Sequence, residues 1–180
     1  MIDAAQLKRE VAERAAALVV DGMRIGLGSG TTAEAFVRSL EPRLSAGLRI
    51  EGVASSERTA RLAIDVGLPL VELTASLDLA VDGADAIERG TLTAIKGLGG
   101  ALTREKIIAH AARRFILIAD DSKLVDRLSA VIPRVPIPVE VLSFGWRVTQ
   151  DQLAFLGTPR LRERAGMPVI TDNGNYILDL

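Results

Sequence analysis

With 180 residues, no cysteine and one histidine, the chain has room for a full core but almost none of the side chains used in nucleophilic and zinc chemistry. A cysteine nucleophile, a disulfide framework, an iron-sulfur cluster and a Cys/His zinc site are excluded, and any catalytic triad would have to use His110. The 22 Lys+Arg against 23 Asp+Glu give a net charge of −1, which supplies no global drive toward nucleic acid and leaves the chemistry to carboxylates, lysines, hydroxyls and backbone amides.

From Asp3 to about Val20, Leu7, Val11, Ala15 and Leu18 recur at helical spacing among charged neighbours, which predicts an amphipathic helix ended by Asp21-Gly22. The opening MIDAAQLKRE mixes charges early, and no apolar run of about 20 residues follows anywhere, so no membrane partner and a cytoplasmic location are expected. Met23 to Leu27 predicts a buried strand feeding the loop Gly28-Ser29-Gly30-Thr31, with a helix from Thr32 toward Leu44. The order repeats: strand from Arg49 to Val53, helix from Thr59 to Val66, short strand from Leu68 to Val71. Alternation of this kind predicts a parallel α/β sheet.

Leu77 to Val81 predicts a strand ending at Asp82-Gly83-Ala84-Asp85, and Thr91 to Ile95 a shorter one ending at Lys96. A helix from Thr103 to about Ala112, with Ile107, Ile108 and Ala111 on one side, leads to Phe115–Ala119, whose continuous apolar character predicts a strand covered on both faces. Prolines 133, 136 and 138 then disfavour a regular central element and place a domain boundary, giving an α/β domain over 1–130 and a small α+β domain over 131–180. In the latter, Val139–Leu142 predicts a strand, Trp146–Leu156 a helix, Leu161–Glu163 a short strand and Val169–Leu178 a hairpin around Asn173-Gly174. About 50 residues make a poor independent core, so this unit should pack on something else.

Glycines and hydroxyls between a strand and a helix, as in Gly26–Thr32, suit a phosphate or carboxylate at the helix's positive end. The segment is not a Walker A loop, and Thr31 stands where a dinucleotide fingerprint needs its last glycine, although Glu51 lies at the spacing of a ribose-binding acid. A tight turn with packing glycines is the plain alternative. Asp82 and Asp85 suit hydroxyl positioning or a shared proton, a capped turn, or a magnesium ion. Lys96 with Gly97-Leu98-Gly99-Gly100 offers a cation beside flexible backbone, and Glu105 fits a capping box only loosely because Leu102 is no cap. His110 reads as structural or surface, Lys123 as a phosphate contact or a loop lysine, Phe144, Trp146 and Phe155 as core or interface anchors, and Arg160–Arg164 as a solvated face.

In order, IGLGSGTTAEAF, VDGADAIERG, IKGLGGALTREKII, FILIADDSKLVD, PIPVEVL and VITDNGNYILDL resemble ribose-5-phosphate isomerases of the A type across nearly the whole chain. The resemblance implies an open, mostly parallel sheet flanked by helices with a small second domain. It also implies a cofactor-free aldose-ketose isomerase of carbohydrate metabolism, in the pentose phosphate pathway, interconverting ribose 5-phosphate and ribulose 5-phosphate through a cis-enediolate. Partners would be a small phosphosugar and further copies in a homodimer or homotetramer, with no metal and no nucleic acid. Carried over, the catalytic set is Glu105 as base with Lys96, Asp82 and Asp85, and the substrate-binding set is Lys8, Ser29, Gly30, Thr31, Thr32, Gly83, Ala84, Gly97, Leu98, Gly99 and Lys123. The family commonly carries an acid where Ala86 stands and a smaller residue at Leu98, and its members continue past ILDL, so the small domain is expected to be C-terminally incomplete. A non-catalytic sugar-phosphate-binding regulatory module and a CoA transferase or nucleotide-binding enzyme of similar fold are the alternatives.

Overall fold

A computed structural model describes residues 4–132 and 134–180; Asp3 and Pro133, on which two of the expectations above rest, lie outside the described residues. In chain order the elements are α1 (Ala4–Ala16), β1 (Arg24–Leu27), α2 (Thr31–Ser45), β2 (Glu51–Ala54), α3 (Glu57–Asp65), β3 (Leu79–Asp82), β4 (Ala86–Glu88) and β5 (Ala94–Ile95). There follow α4 (Leu102–Ala111), β6 (Phe115–Leu117), β7 (Leu124–Val125), β8 (Pro138–Val141), α5 (Trp146–Leu153), β9 (Arg160–Leu161), β10 (Glu163–Arg164), β11 (Met167–Pro168) and β12 (Tyr176–Asp179).

The chain groups into two compact units, one running up to Ala84 together with Arg104–Leu124, the other Asp85–Thr103 with Val125–Leu180. The sequence suggested a single cut at residue 130. Instead the 85–103 segment leaves the first unit, because β4 pairs with β5 and is tied to the later chain by Arg89 N–H to Val125 O (2.9 Å) and Leu128 N–H to the Glu88 carboxylate (2.9 Å).

The first unit is a four-stranded sheet ordered β2-β1-β3-β6, parallel throughout. Its apolar side chains explain it: Ile25 and Leu27 from β1 and Val81 from β3 are fully buried against Phe36, Val37 and Leu40 of α2. Each such side chain contributes about 1.5–3 kcal/mol by leaving water. On α4, Ile108 is buried with Val53, Leu77 and Ala80, whereas Ile107 is half exposed. The buried face is therefore narrower than expected, and Glu105, one turn before Ile108, shares it at 5% exposure.

Two expected strands are weaker than the sequence suggests. Leu68–Val71 forms only a single parallel bridge between Leu70 and Gly52, and β6 is a sheet edge with Phe115 37% exposed rather than a strand covered on both faces. Apolar runs signal burial without telling which side a neighbour occupies.

In the second unit β12 lies between β8 and β9, antiparallel to both, and β10 pairs with β11. Ile177 and Leu178 are both fully buried, and since successive strand residues face opposite sides, both faces of β12 are covered. The Asn-Gly turn forms, with Gly174 at φ +77° donating to Thr171 O (2.9 Å), but no strand precedes it at 169–170 and β12 takes its partners elsewhere. Phe144 and Phe155 are exposed at 93% and 81%, so they are not core residues, while Trp146 meets Tyr176 edge-on at 6.2 Å. Among the described residues no helix is long and apolar enough to cross a membrane.

Candidate active site

In the first unit, α2 and β2 follow β1 to one side while β3 and β6 occupy the other, so the loops after β1 and β3 diverge at the C-terminal ends of the strands, where such sheets take ligands. Gly28-Ser29-Gly30 leaves β1 there and Asp82 ends β3. Asp82 is 3% exposed, and its Oδ1 accepts the N–H of Gly83 (2.7 Å) and of Ser29 (3.1 Å). The glycine at 28 is a spatial requirement: a Cβ there would stand 2.1 Å from Asp82 Oδ1 and 2.6 Å from its Cα.

Ser29 turns its hydroxyl inward, 2.6 Å from Ser55 Oγ and 3.0 Å from Ser56 Oγ, and Thr59 Oγ1 donates to Gly28 O at 3.0 Å. Its N–H and its hydroxyl are thus both engaged within the protein, and Ser29 here braces the loop. Ser55 and Thr59 are essentially fully buried, and the sequence marked Thr59 only as the start of a helix. Gly30, at φ +88°, precedes α2 and supplies no capping side chain. The first N–H groups of α2, including those of Thr31 and half-buried Thr32, therefore form a helix terminus suited to an anion.

A second observation points the same way. Lys8 of α1 reaches across to donate to Thr31 Oγ1 at 2.9 Å. Asp120, just after β6, accepts from Ser122, which holds its carboxyl below the ordinary carboxylate range against the effect of burial, with the Ser122 N–H and the charges of Lys123 and Lys8 adding to the shift. Lys8, Thr31, Asp120 and Lys123 are consequently one neighbourhood, and Asp120 is a member the sequence reading passed over. Its only sequence signal was its place directly after a strand. Gly83 and Ala84, both half-buried, continue from Asp82, while His110 is exposed on α4.

The second unit carries the rest of the set. Because β4 and β5 run antiparallel with Ala86 opposite Ile95, Asp85 before β4 and Lys96 after β5 come to the same end of the ribbon, and Asp85 N–H donates to Ile95 O at 2.9 Å. Half-buried Lys96 opens the turn Gly97–Gly100, closed by Gly100 N–H to Gly97 O at 3.0 Å. Leu98 N–H donates to Asp85 Oδ2 at 3.0 Å, and Leu98 and Gly99 are exposed. Gly97 has φ +103°, and a Cβ there would lie 2.6 Å from Leu102 Cβ and 2.8 Å from Pro138 Cγ.

Two sequence readings change. Arg162 is not a solvated residue: its side chain is 13% exposed, paired through both Nε (2.9 Å) and Nη2 with the Asp179 carboxylate. Glu51 is ion-paired with Arg24 at 2.8 Å at the N-terminal end of β2, beside a groove of about 510 Å³, and so lies at the wrong end of the sheet for a ribose acid. Among the described residues no three or more Asp, Glu or His side chains converge as metal ligands.

Glu140 on β8 gathers Thr171 Oγ1 (2.8 Å), Asn175 Nδ2 (2.9 Å) and Asn173 Nδ2 (3.0 Å) on one oxygen. Burial pushes its carboxyl up, but hydrogen bonds from Thr103, Asn175, Thr171 and Asn173 outweigh this and leave it below the ordinary 4.5. A carboxyl depressed on folding contributes stability above its unfolded value, lost as pH falls through the folded one. The wild type should therefore exceed Glu140→Gln in urea midpoint at pH 7, and the gap should narrow as the pH is lowered through and below 4.5.

The comparisons with known proteins agree with one another. The family model described as ribose 5-phosphate isomerase A (phosphoriboisomerase A) matches residues 51–180. A relative named ribose-5-phosphate isomerase A from Thermomicrobium roseum is 53% identical over 177 residues, covering 96% of this chain and 73% of its own. Among solved structures, ribose 5-phosphate isomerase A from Methanocaldococcus jannaschii superposes with a TM-score of 0.91 at 43% identity, over 98% of this chain and 80% of that one. A D-ribose-5-phosphate isomerase in complex with phospho-erythronic acid gives a TM-score of 0.90 at 38% identity, over 99% of this chain and 79% of its own. With a model matching most of its length and a relative more than half identical, the chain belongs to the ribose 5-phosphate isomerase A family.

Proposed function

We propose that this protein interconverts ribose 5-phosphate and ribulose 5-phosphate, using its own side chains and amides without a cofactor. The observation that carries this reading furthest is the open N-terminus of α2 beside Lys8 and Thr31, a phosphate cradle next to the Gly28–Asp82 contact, in a chain of this family. The reaction itself falls to the acids and the lysine. Glu105 takes the proton from C2 of the open-chain aldose, the C2 electron pair forms the C1=C2 bond, and the carbonyl oxygen becomes an oxyanion. Lys96 and the amides of Gly97–Gly99 stabilise that charge. Glu105 then returns the proton to C1 while the O2 proton passes to the O1 oxyanion, which leaves a C2 carbonyl and a C1 hydroxyl, the ketose. Asp82 and Asp85 orient hydroxyls and move protons between oxygens. Gly30, Thr31 and Thr32, with Lys8 and Lys123, hold phosphate. Self-association is part of the reading, with Phe144 and Phe155, exposed at 93% and 81%, as the anchors it would cover.

Purified protein should form ribulose 5-phosphate from ribose 5-phosphate at an unchanged rate after exhaustive treatment with EDTA. Reversible loss on chelation would overturn the cofactor-free mechanism. Phosphosugar binding with no product in any buffer would leave a regulatory module as the better reading.

A further inference from the structure

We propose that Arg162 is a positioning residue, clamping the Lys96–Gly99 turn so that its amides and the Asp85 carboxylate point in working directions. The inference rests on the reading that this turn and Asp85 act on the sugar. Arg162 Nη1 donates to Gly97 O and to Leu98 O, each at 3.0 Å. Its remaining edge is committed to Asp179 on β12, one strand position from the buried Leu178 that pairs with Leu161. The guanidinium is thus tied to the sheet by one face and holds two consecutive peptide carbonyls with the other.

A trans peptide is planar with its C=O and N–H on opposite sides. Fixing the Gly97 carbonyl therefore fixes the Leu98 N–H, which donates to Asp85 Oδ2 at 3.0 Å on the far side. Fixing the Leu98 carbonyl likewise aims the Gly99 N–H away from Arg162. One peptide is gripped from both sides, by a guanidinium on its oxygen and a carboxylate on its hydrogen, so the orientation of Asp85 depends on Arg162 through a single rigid plane. The charge of Arg162 is matched by Asp179, so the residue does not serve as a phosphate anchor. Lysine could not replace it, because a point ammonium lacks the planar fork that spans the Asp179 carboxylate and the two carbonyls at once.

The test uses Arg162→Lys and the charge-balanced pair Arg162→Gln/Asp179→Asn, the second chosen so that no carboxylate is left half-buried and alone. Two readouts are taken on folded protein with a measured urea midpoint. Hydrogen exchange at the Leu98 amide should accelerate at least about tenfold in both variants. With ribose 5-phosphate, kcat should fall by about 100-fold while KM stays within a few-fold, since misplaced groups near the reacting atoms weaken transition-state more than ground-state interactions. Unchanged Leu98 exchange, or a kcat equal to wild type, overturns the proposal. A kcat loss that merely follows the fraction unfolded overturns it as well. If the wild type itself shows no turnover, the isomerase reading fails and the exchange readout still decides the clamp. Should neither variant fold, NMR of the wild-type Arg162 guanidinium decides: hindered rotation with separate Nη signals supports the clamp, and fast averaging overturns it.

Discussion

Glu105→Gln is expected to lower kcat by about 10²–10⁴-fold with KM within a few-fold of wild type, the range that a positioned general base contributes. The side chain is 5% exposed in the first turn of α4, on the same face as buried Ile108, so it is held by helix packing and not by a mobile loop. Glutamine fills the same volume and keeps polar atoms in place, so the urea midpoint should change little; what it cannot do is accept and return a proton. The variant should therefore also lose wash-out of deuterium from C2-labelled ribose 5-phosphate. Retained wash-out with ketose formation lost would mean that another group takes the proton, and the assignment of Glu105 would fall.

Gly28→Ala should be nearly as damaging although it removes no functional group. The added methyl would stand 2.1, 2.3 and 2.6 Å from Oδ1, Cγ and Cα of Asp82, and the last of these is backbone, which cannot swing aside. Either β1 and β3 separate at their C-terminal ends or Asp82 leaves its place and gives up the N–H groups of Ser29 and Gly83. Overpacking of this kind costs about 1–3 kcal/mol of stability. A displacement of about 1 Å at a reacting site is worth about 100-fold in rate, so kcat/KM should drop by at least that much in protein that remains folded. Gly174→Ala is the control: its φ of +77° also demands glycine, but no atom stands within 4 Å of the added methyl, so it should lose stability without a comparable loss of rate. Equal rates for Gly28→Ala and wild type would show that the close approach to Asp82 does not matter to the reaction.

The alternation of strands and helices in the first unit was legible because it follows from local periodicity: β1, α2, β2, α3 and β3 all lie within a few residues of where apolar spacing puts them. The residue types available for chemistry were legible too, since composition leaves no cysteine and a single histidine, His110. What local pattern could not reveal was partnership. β4 has no hydrophobic run long enough to announce it and exists because β5 is there to pair with it, which in turn moves residues 85–103 out of the first unit. The same reason hid the link of Asp120 to Lys8, which comes from a remote part of the chain, and Arg162, which sits in an arginine-rich run that looks like a solvated face.

By itself the sequence determined the alternating α/β class, the restriction to carboxylate, lysine, hydroxyl and amide chemistry, and the motifs that resemble the isomerase family. Tertiary structure alone decided that Gly28 must lack a side chain, that Ser29 faces a buried hydroxyl network, and that Arg162 grips the Gly97 and Leu98 carbonyls. The division has one physical origin: periodicity and residue chemistry are properties of neighbours along the chain, whereas close approach, hydrogen-bond saturation and charge pairing arise between residues 17 to 65 positions apart that only folding brings together.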